Sequence, residues 1–391
     1  MKKVVLVFFS LIIPLLCFSR SKSNSQLSLS DSTLNLIFQY YSAEENKNLF
    51  NETYPVNPKN IATYVVSQDS VRKKRVAYLW PTSGVFSGVV ALLSNTNDAR
   101  YKKMLDTRIL PGLEEYYNTT RQPSCYQSYI ALEGESDRFY DDNVWLAIDF
   151  AQLAIVTKEP GYLKKAETIW QFVASGWDDQ LGGGIYWCEQ KKGSKNTCSN
   201  APAVVAAAKL YQATKNIEYL NWAKKIYAWT KLTLMDKTDY LYYDNISLKG
   251  RIGKKKYAYN SGQMLQGAAL LYKLTGDKTY LTDAQQIAKS AIQYFTVDMN
   301  RNGKDYRVFK QQGAWFVTVL SRGYFELYAI DKDPKYIDFF KSTLEYLKQY
   351  GRYDNGLFYG DWSGSTTDKY KWLLDQGCIV ELAANLSAHN K

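Results

Sequence analysis

LYKLTGDKTYLTDAQQIAKSAI, residues 271–292, reads as a helix, a short turn of small and polar residues, then a Tyr-Leu pair and a second helix. The same plan recurs in LAIVTKEPGYLKKAETIWQFV (153–173), LYQATKNIEYLNWAKKIYAWT (210–230) and LYAIDKDPKYIDFFKSTLEYL (327–347), and more loosely in LLSNTNDARYKKMLDTRILPGL (92–113). The shared tyrosines are Tyr101, Tyr162, Tyr219, Tyr280 and Tyr336, spaced 61, 57, 61 and 56 residues apart. A nearly fixed period of helix pairs indicates stacked αα-hairpins.

Working outward, the pattern predicts twelve helices, at about 29–43, 84–94, 98–117, 137–157, 161–175, 199–214, 217–233, 258–275, 278–295, 312–330, 334–349 and 373–388. Six such pairs either form an open solenoid or close into a barrel. The first helices, such as NAPAVVAAAKLYQA and NSGQMLQGAALLYKL, are poor in charge, whereas the second ones carry a face studded with Lys and Glu. Apolar helices ringed by amphipathic ones favour closure. The expected fold is therefore all-α, an (α/α)6 barrel of six helical hairpins. Short β-like runs, GGGIYW (182–187), YLYYDNIS (240–247) and GLFYGDW (356–362), lie in the links and would share one rim. No linker divides the chain, so residues 20–391 are read as one domain.

Of the 391 residues, 46% are apolar and 22% charged, which is a globular composition. Aromatics reach 15%, with 33 Tyr and 10 Trp, side chains that offer sugars both an apolar face and a hydrogen bond. The plain alternative is that most tyrosines pack between helices. The net charge of +11 is spread along the chain without any nucleic-acid-binding motif, which argues against a nucleic-acid partner. The single histidine stands at 389, so a His-based triad or a His-rich metal site is not expected. No cofactor is expected either.

The first 19 residues, with Lys2 and Lys3 before an apolar run from Val4 to Leu16, read as an export signal that is too short to span a bilayer. Cys17 resembles a lipoprotein acceptor and would attach the protein to a membrane, although Leu16 stands where a small residue is usual and simple cleavage near Ser19 stays open. The expected location is the periplasm, the cell surface or the medium. In an exported chain Cys188 and Cys198, which flank EQKKGSKNT, are candidates for a disulfide.

The chemistry gathers at DRFYDDNVWLAIDFAQLAIVT (137–157). Asp141 and Asp142 stand together where a helix turns apolar. Paired acids suit glycoside hydrolysis, in which one carboxyl donates a proton and another attacks the sugar or activates water. The alternative is helix capping. Asn200 (in KNTCSNAP) and Asn260 (in YAYNSG) open two further inner helices, and in a closed ring these starts share one face with Trp80, Trp187, Tyr259 and Trp315. Acids for the bond, amides for hydroxyls and rings for C–H faces are what a sugar site needs. Each Asn is otherwise a cap, and each Trp otherwise core.

YDDNVW, GGGIYW, KNTCSNAPAVVAAAKLY and YNSGQMLQGAALLY occur here in the order found in glycoside hydrolase family 76, the endo-α-1,6-mannanases, which the chain resembles from about Trp80 to its end. The resemblance implies a metal-free retaining hydrolase of α-1,6-mannosidic bonds. Asp141 would be the nucleophile and Asp142 the general acid/base. Asn196, Asn200, Tyr259 and Asn260 would fall along the cleft. It also implies mannan or manno-oligosaccharides as partners of a monomeric protein. One departure is FKQQGAW (309–315), where Gln311 and Gln312 precede Gly313, and the cleft wall is expected to differ there. Transglycosylation, another (α/α)6 glycosidase and a non-catalytic glycan-binding protein are the competing readings.

Overall fold

A computed structural model describes residues 24–58 and 75–389; the expected signal segment and Cys17 lie outside the described residues. The inner helices are α2 (Leu79–Thr96), α4 (Tyr140–Thr157), α6 (Thr197–Thr214), α8 (Ala258–Thr275), α10 (Ala314–Asp331) and α12 (Leu373–Ser387). The outer ones are α1 (Ser25–Tyr41), α3, α5 (Pro160–Ser175), α7 (Ile217–Leu234), α9 (Lys278–Phe295) and α11 (Pro334–Tyr350). Helix α3 runs from Ala99–Met104 through a π-helical stretch, Leu105–Ile109, into Leu110–Glu114. Each inner helix packs on the next, and α12 packs back on α2, so the ring closes into an (α/α)6 barrel.

The turn inside each hairpin explains the repeat. Asn97, Lys158, Lys215, Gly276 and Lys332 end the inner helices in the left-handed conformation. Just before four of them, Thr96, Thr157, Thr214 and Thr275 bond back to the carbonyl four residues earlier and accept the N–H two residues later. Asp98, Asn216, Asp277 and Asp333 then cap the outer helix with a side-chain oxygen. The repeated tyrosines tie the outer ring together: the hydroxyls of Tyr101, Tyr162 and Tyr219 donate to Asp31, Asp106 and Glu167 on the preceding outer helix.

The sixth hairpin is made of the two ends of the described chain. Helix α1 packs on α12, with Asn24 Nδ2 donating to Ser387 O at 2.8 Å and Ser30 Oγ to Val380 O at 2.7 Å. Reading the helices as consecutive pairs would have joined α1 to α2. The inner seam between α2 and α12 is close because Gly84 faces Gly377; a Cβ on Gly377 would lie 2.7 Å from the Gly84 carbonyl carbon. Inner helix α6 is buried on all sides from Thr197 to Leu210, which its run of alanines allows.

Among the described residues nine short strands run through the links: β1 (Thr53–Tyr54), β2 (Tyr117–Asn118), β3 (Cys125–Tyr126), β4 (Ser194–Asn196), β5 (Tyr243–Ser247), β6 (Ile252–Lys256), β7 (Thr296–Arg301), β8 (Lys304–Phe309) and β9 (Lys371–Trp372). They pair antiparallel as β1–β9, β2–β3, β4–β5–β6 and β7–β8, so β1–β9 adds a second closure between the ends of the ring. Every link that carries them leads into the N-terminus of an inner helix.

Two boundaries matter for the site. Helix α2 starts at Leu79 rather than 84, which places Trp80 in its first turn. Helix α4 starts at Tyr140 rather than 137, because Arg138 and Phe139 run extended along the neighbouring link: Arg138 N donates to Gln190 Oε1 at 2.8 Å, and Phe139 bridges Cys188.

Candidate active site

The register of the inner helices decides what meets at the rim. Their second residues are Trp80, Asp141, Cys198, Tyr259, Trp315 and Leu374. All but Leu374 border one cavity of about 410 Å³. Asp142, Trp187 and Asn196 border it too, so both acids and all four expected rings face one space. The inner helix N-termini converge here, and their dipoles favour negative charge at this end of the barrel.

The fourth residues do different work. Asn143 Oδ1 accepts from Tyr126 N at 2.9 Å while its Nδ2 donates to Tyr126 O at 2.8 Å. Asn200 treats Ile185 in the same way, at 2.7 Å and 2.9 Å, and Gln376 treats Phe358 at 2.8 Å and 3.0 Å. Each amide side chain imitates a strand partner and fixes a link to its helix. Asn200 was expected on the cleft wall; it is instead fully buried behind it and committed to Ile185. Asn260 is also buried and does not border the cavity; its amide faces Asp244 without closing to a good hydrogen bond.

The link that carries Trp187 is held by these clamps and by Lys195, whose buried ammonium donates to the Gln180 and Gly183 carbonyls at 2.6 Å and to Asp178 Oδ1 at 2.6 Å. Gly184, at φ +95°, lets the link cross Trp229; a Cβ there would lie 2.4 Å from the indole. Trp187 therefore arrives with its indole N–H aimed at Asp141 Oδ2, 3.0 Å away. It binds a carboxylate as well as offering a ring face.

The two acids have different surroundings. Asp141 accepts from Trp187 and from the Asp142 backbone N–H at 3.0 Å, and the Cys198 thiol also hydrogen-bonds to it. Burial raises its pKa to about 6, and those three donors hold it from rising further. Asp142 has no such donors; burial and then the charges of Asp141 and Asp137 push it well above the ordinary carboxylate range. Their surroundings push the two carboxyls apart, with Asp142 the higher of the two. Capping does not account for the pair, because Phe139 is the N-cap residue and no side chain caps the helix.

The expected Cys188–Cys198 disulfide is not formed. All four described cysteines are free. Cys188 Sγ lies 3.5 Å from Gln190 Oε1 on the link, whereas Cys198 occupies the second position of α6 and turns into the cavity. Helix register, which loop spacing does not reveal, separates them. Gln311 and Gln312 do not border the cavity. Sequence reasoning passed over Trp145, Phe316 and Asp244, all of which do. Trp145 stands four residues after Asp141, on the same helix face. Asp244 lies in the short β-like run YLYYDNIS, and burial raises its carboxyl as well. Tyr259 stacks on Phe316 with centroids 4.3 Å apart, forming one aromatic wall. Among the described residues no three His, Cys, Asp or Glu side chains are grouped to hold a metal ion. No described helix is long and apolar enough to cross a membrane.

Fold and site together define an (α/α)6 barrel with a paired-carboxyl, aromatic cleft at the N-terminal rim of its inner helices. The sequence profile of glycosyl hydrolase family 76 matches residues 31–324, and the chain belongs to that family. It superposes on a family 76 mannosidase of Bacteroides thetaiotaomicron with a TM-score of 0.84, 33% identity and coverage of 93% of this chain and 98% of the other. An α-1,6-mannanase of Salegentibacter aligns with a TM-score of 0.74 and 25% identity over 92% and 98% of the two chains. A mannan endo-1,6-alpha-mannosidase of Saccharomyces cerevisiae is 31% identical over 183 residues, 42% of this chain and 41% of that one. The chain spans about half or less of the length of several curated relatives it matches, 52% for a putative mannan endo-1,6-alpha-mannosidase of Schizosaccharomyces pombe.

Proposed function

We propose that this protein is a retaining glycoside hydrolase that cuts α-1,6-mannosidic bonds within mannan chains. The observation that carries the proposal is the division of the pair. Asp141 is furnished with donors that suit an ionised nucleophile, whereas Asp142 is left without them and is pushed higher by burial and by the Asp141 charge. Two carboxyls whose surroundings push them apart are the signature of an acid and a base sharing one reaction. Family membership and the activities named for the relatives supply the sugar and the linkage.

In the first step Asp142 gives its proton to the glycosidic oxygen as the bond to the anomeric carbon breaks, and the Asp141 carboxylate forms an ester with that carbon. In the second, the Asp142 carboxylate takes a proton from water, whose oxygen displaces Asp141 and restores the starting configuration. Rings at Trp80, Trp187, Tyr259 and Trp315 lie on different hairpins, so the cleft can stack successive sugars of a flexible 1,6-linked chain. Export through a signal over residues 1–19, ending either in lipidation at Cys17 or in cleavage near Ser19, and a single catalytic unit over 20–391 belong to the same proposal.

The test is digestion of unbranched α-1,6-mannan with products sized over time and the first-formed anomer read by proton NMR. Oligomers of several lengths appearing early as the α-anomer support the proposal. Mannose as the only early product removes the internal cut, and a β-anomer removes retention.

A further inference from the structure

A second cavity, of about 220 Å³, opens at the other end of the barrel among the last turns of the inner helices, and Arg322, Glu381, Asp149 and Lys209 line it. It meets the lining of the cleft at Arg322. On the cleft side stand Trp145 and Trp315, edge to face at 88° with centroids 5.5 Å apart. Behind them lies Arg322, its guanidinium carbon 5.1 Å from the Trp315 ring centre and 5.7 Å from that of Trp145. Glu381 grips the guanidinium through Nε at 2.6 Å and Nη2 at 2.8 Å, leaving Nη1 buried without a partner.

A buried ion pair gains little stability over apolar residues of the same volume, because desolvation offsets the attraction, and the stranded Nη1 adds cost. What this pair supplies is position. A planar cation gripped at two points sits against both indoles and fixes their mutual angle. Trp145 is three residues after Asp142 and four after Asp141, so all three share one helix face, and its ring lines the same cavity as both carboxyls. We propose that Arg322, held by Glu381, is a positioning residue that sets the Trp145–Trp315 floor of the cleft. The proposal rests on the hydrolase reading above.

The decisive variant is R322M/E381M, which removes both charges together and strands neither. The readouts are thermal melting, near-ultraviolet circular dichroism, and kcat and KM on α-1,6-mannotetraose. The expected result is a melting temperature near that of the parent and a near-ultraviolet spectrum altered in the same bands as in W315F. The kcat should fall about 10–100-fold with KM changed less than about threefold, since misplacement at the reacting bond costs turnover while distant sugars still bind. If this variant does not fold, R322K and E381Q take its place. R322K keeps the charge but not the plane and should lose kcat, and E381Q should keep more of it. Folded variants with kcat within about twofold of the parent and an unchanged spectrum overturn the proposal. If the parent itself does not cleave the tetraose, the hydrolase reading fails, and the spectrum alone still decides whether Arg322 orders the two indoles.

Discussion

Helices α4 and α12 begin alike, with Tyr-Asp-Asp-Asn and Leu-Leu-Asp-Gln. In each, the fourth residue is an amide that clamps a link, to Tyr126 in one and to Phe358 in the other. In each, the third residue is an aspartate whose carboxyl is raised by burial, Asp142 well above its ordinary value and Asp375 to about 8. The difference lies in the second residue and in access. Beside Asp142 stands Asp141, and both face the open cavity. Beside Asp375 stands Leu374, and Gly360 packs so tightly on the carboxyl that a Cβ there would lie 2.6 Å from Oδ2. Burial at this register raises both carboxyls. A reactive acid also needs an ionised neighbour and a path for substrate.

The sharpest way to break the comparison is to neutralise each acid in turn. Asp141→Asn and Asp142→Asn should each lower turnover on α-1,6-mannan by about 10³-fold or more with an unchanged circular dichroism spectrum. Asp375→Asn should stay within about threefold of the parent. Initial rates settle it: an Asp375→Asn protein as dead as Asp142→Asn would erase the distinction between the two helix starts.

Asp375 has its own signature, in stability. Its folded pKa of about 8 lies above the value near 4 of an unfolded aspartate. Between those values the folded state holds a proton the unfolded state has lost, so unfolding free energy falls as pH rises from about 4 to about 8. The loss should be on the order of a few kcal/mol. Asp141 and Asp149, each raised to about 6, add to it in the lower half of that window. Urea midpoints at pH 5 and pH 8 measure the slope, which Asp375→Asn should reduce. An unchanged slope would mean that Asp375 does not carry it.

The clamps give a smaller effect. Asn200→Ala strands the Ile185 N–H and C=O behind the cleft and should cost about 1–3 kcal/mol for each stranded group. Thermal melting reads the loss. A variant as stable as the parent would show that water or a rearranged link replaces the amide.

These three cases also mark what the sequence could reveal. Hairpins, ring closure and the acid pair were legible, because the short polar turns and the Tyr-Leu starts repeat with a period and because apolar inner helices contrast with charged outer ones. The pairing of α1 with α12 was not, since it joins residues more than 300 positions apart that share no local pattern. Nor was the split between second and fourth residues. An Asn in a first helical turn looks the same in sequence whether it faces a cavity, as an expected wall residue would, or turns back on Ile185 as Asn200 does. The expected start of α2 at 84 falls five residues after the observed one at Leu79, although Pro81 suits a first helical turn. Asp244 escaped because nothing in YLYYDNIS tells which of its alternating side chains points inward.

Trp187 gives the smallest and finest test of the contrast between the two acids. Read from sequence it is a platform for a sugar ring. In the structure its N–H is also one of three donors that keep Asp141 lower than Asp142. Trp187→Phe separates the two roles, because Phe keeps a ring face and loses the donor. A hydrogen bond to a charged oxygen at a partly open site is worth about one pKa unit. The ionised form of Asp141 is the reactive one, so losing the donor raises the pH needed to populate it. The acid limb of kcat/KM should therefore move upward from near 6 by about one unit or less. At pH 7 the rate should drop by no more than about twofold, and at pH 8 it should return nearly to the parent's. Trp187→Ala should show the same limb and, in addition, weaker binding of long oligomers than of short ones, since it also removes the ring. If Trp187→Phe leaves the acid limb in place while slowing the reaction equally at every pH, the indole acts on the sugar alone. The difference between Asp141 and Asp142 must then come from Cys198 and the backbone.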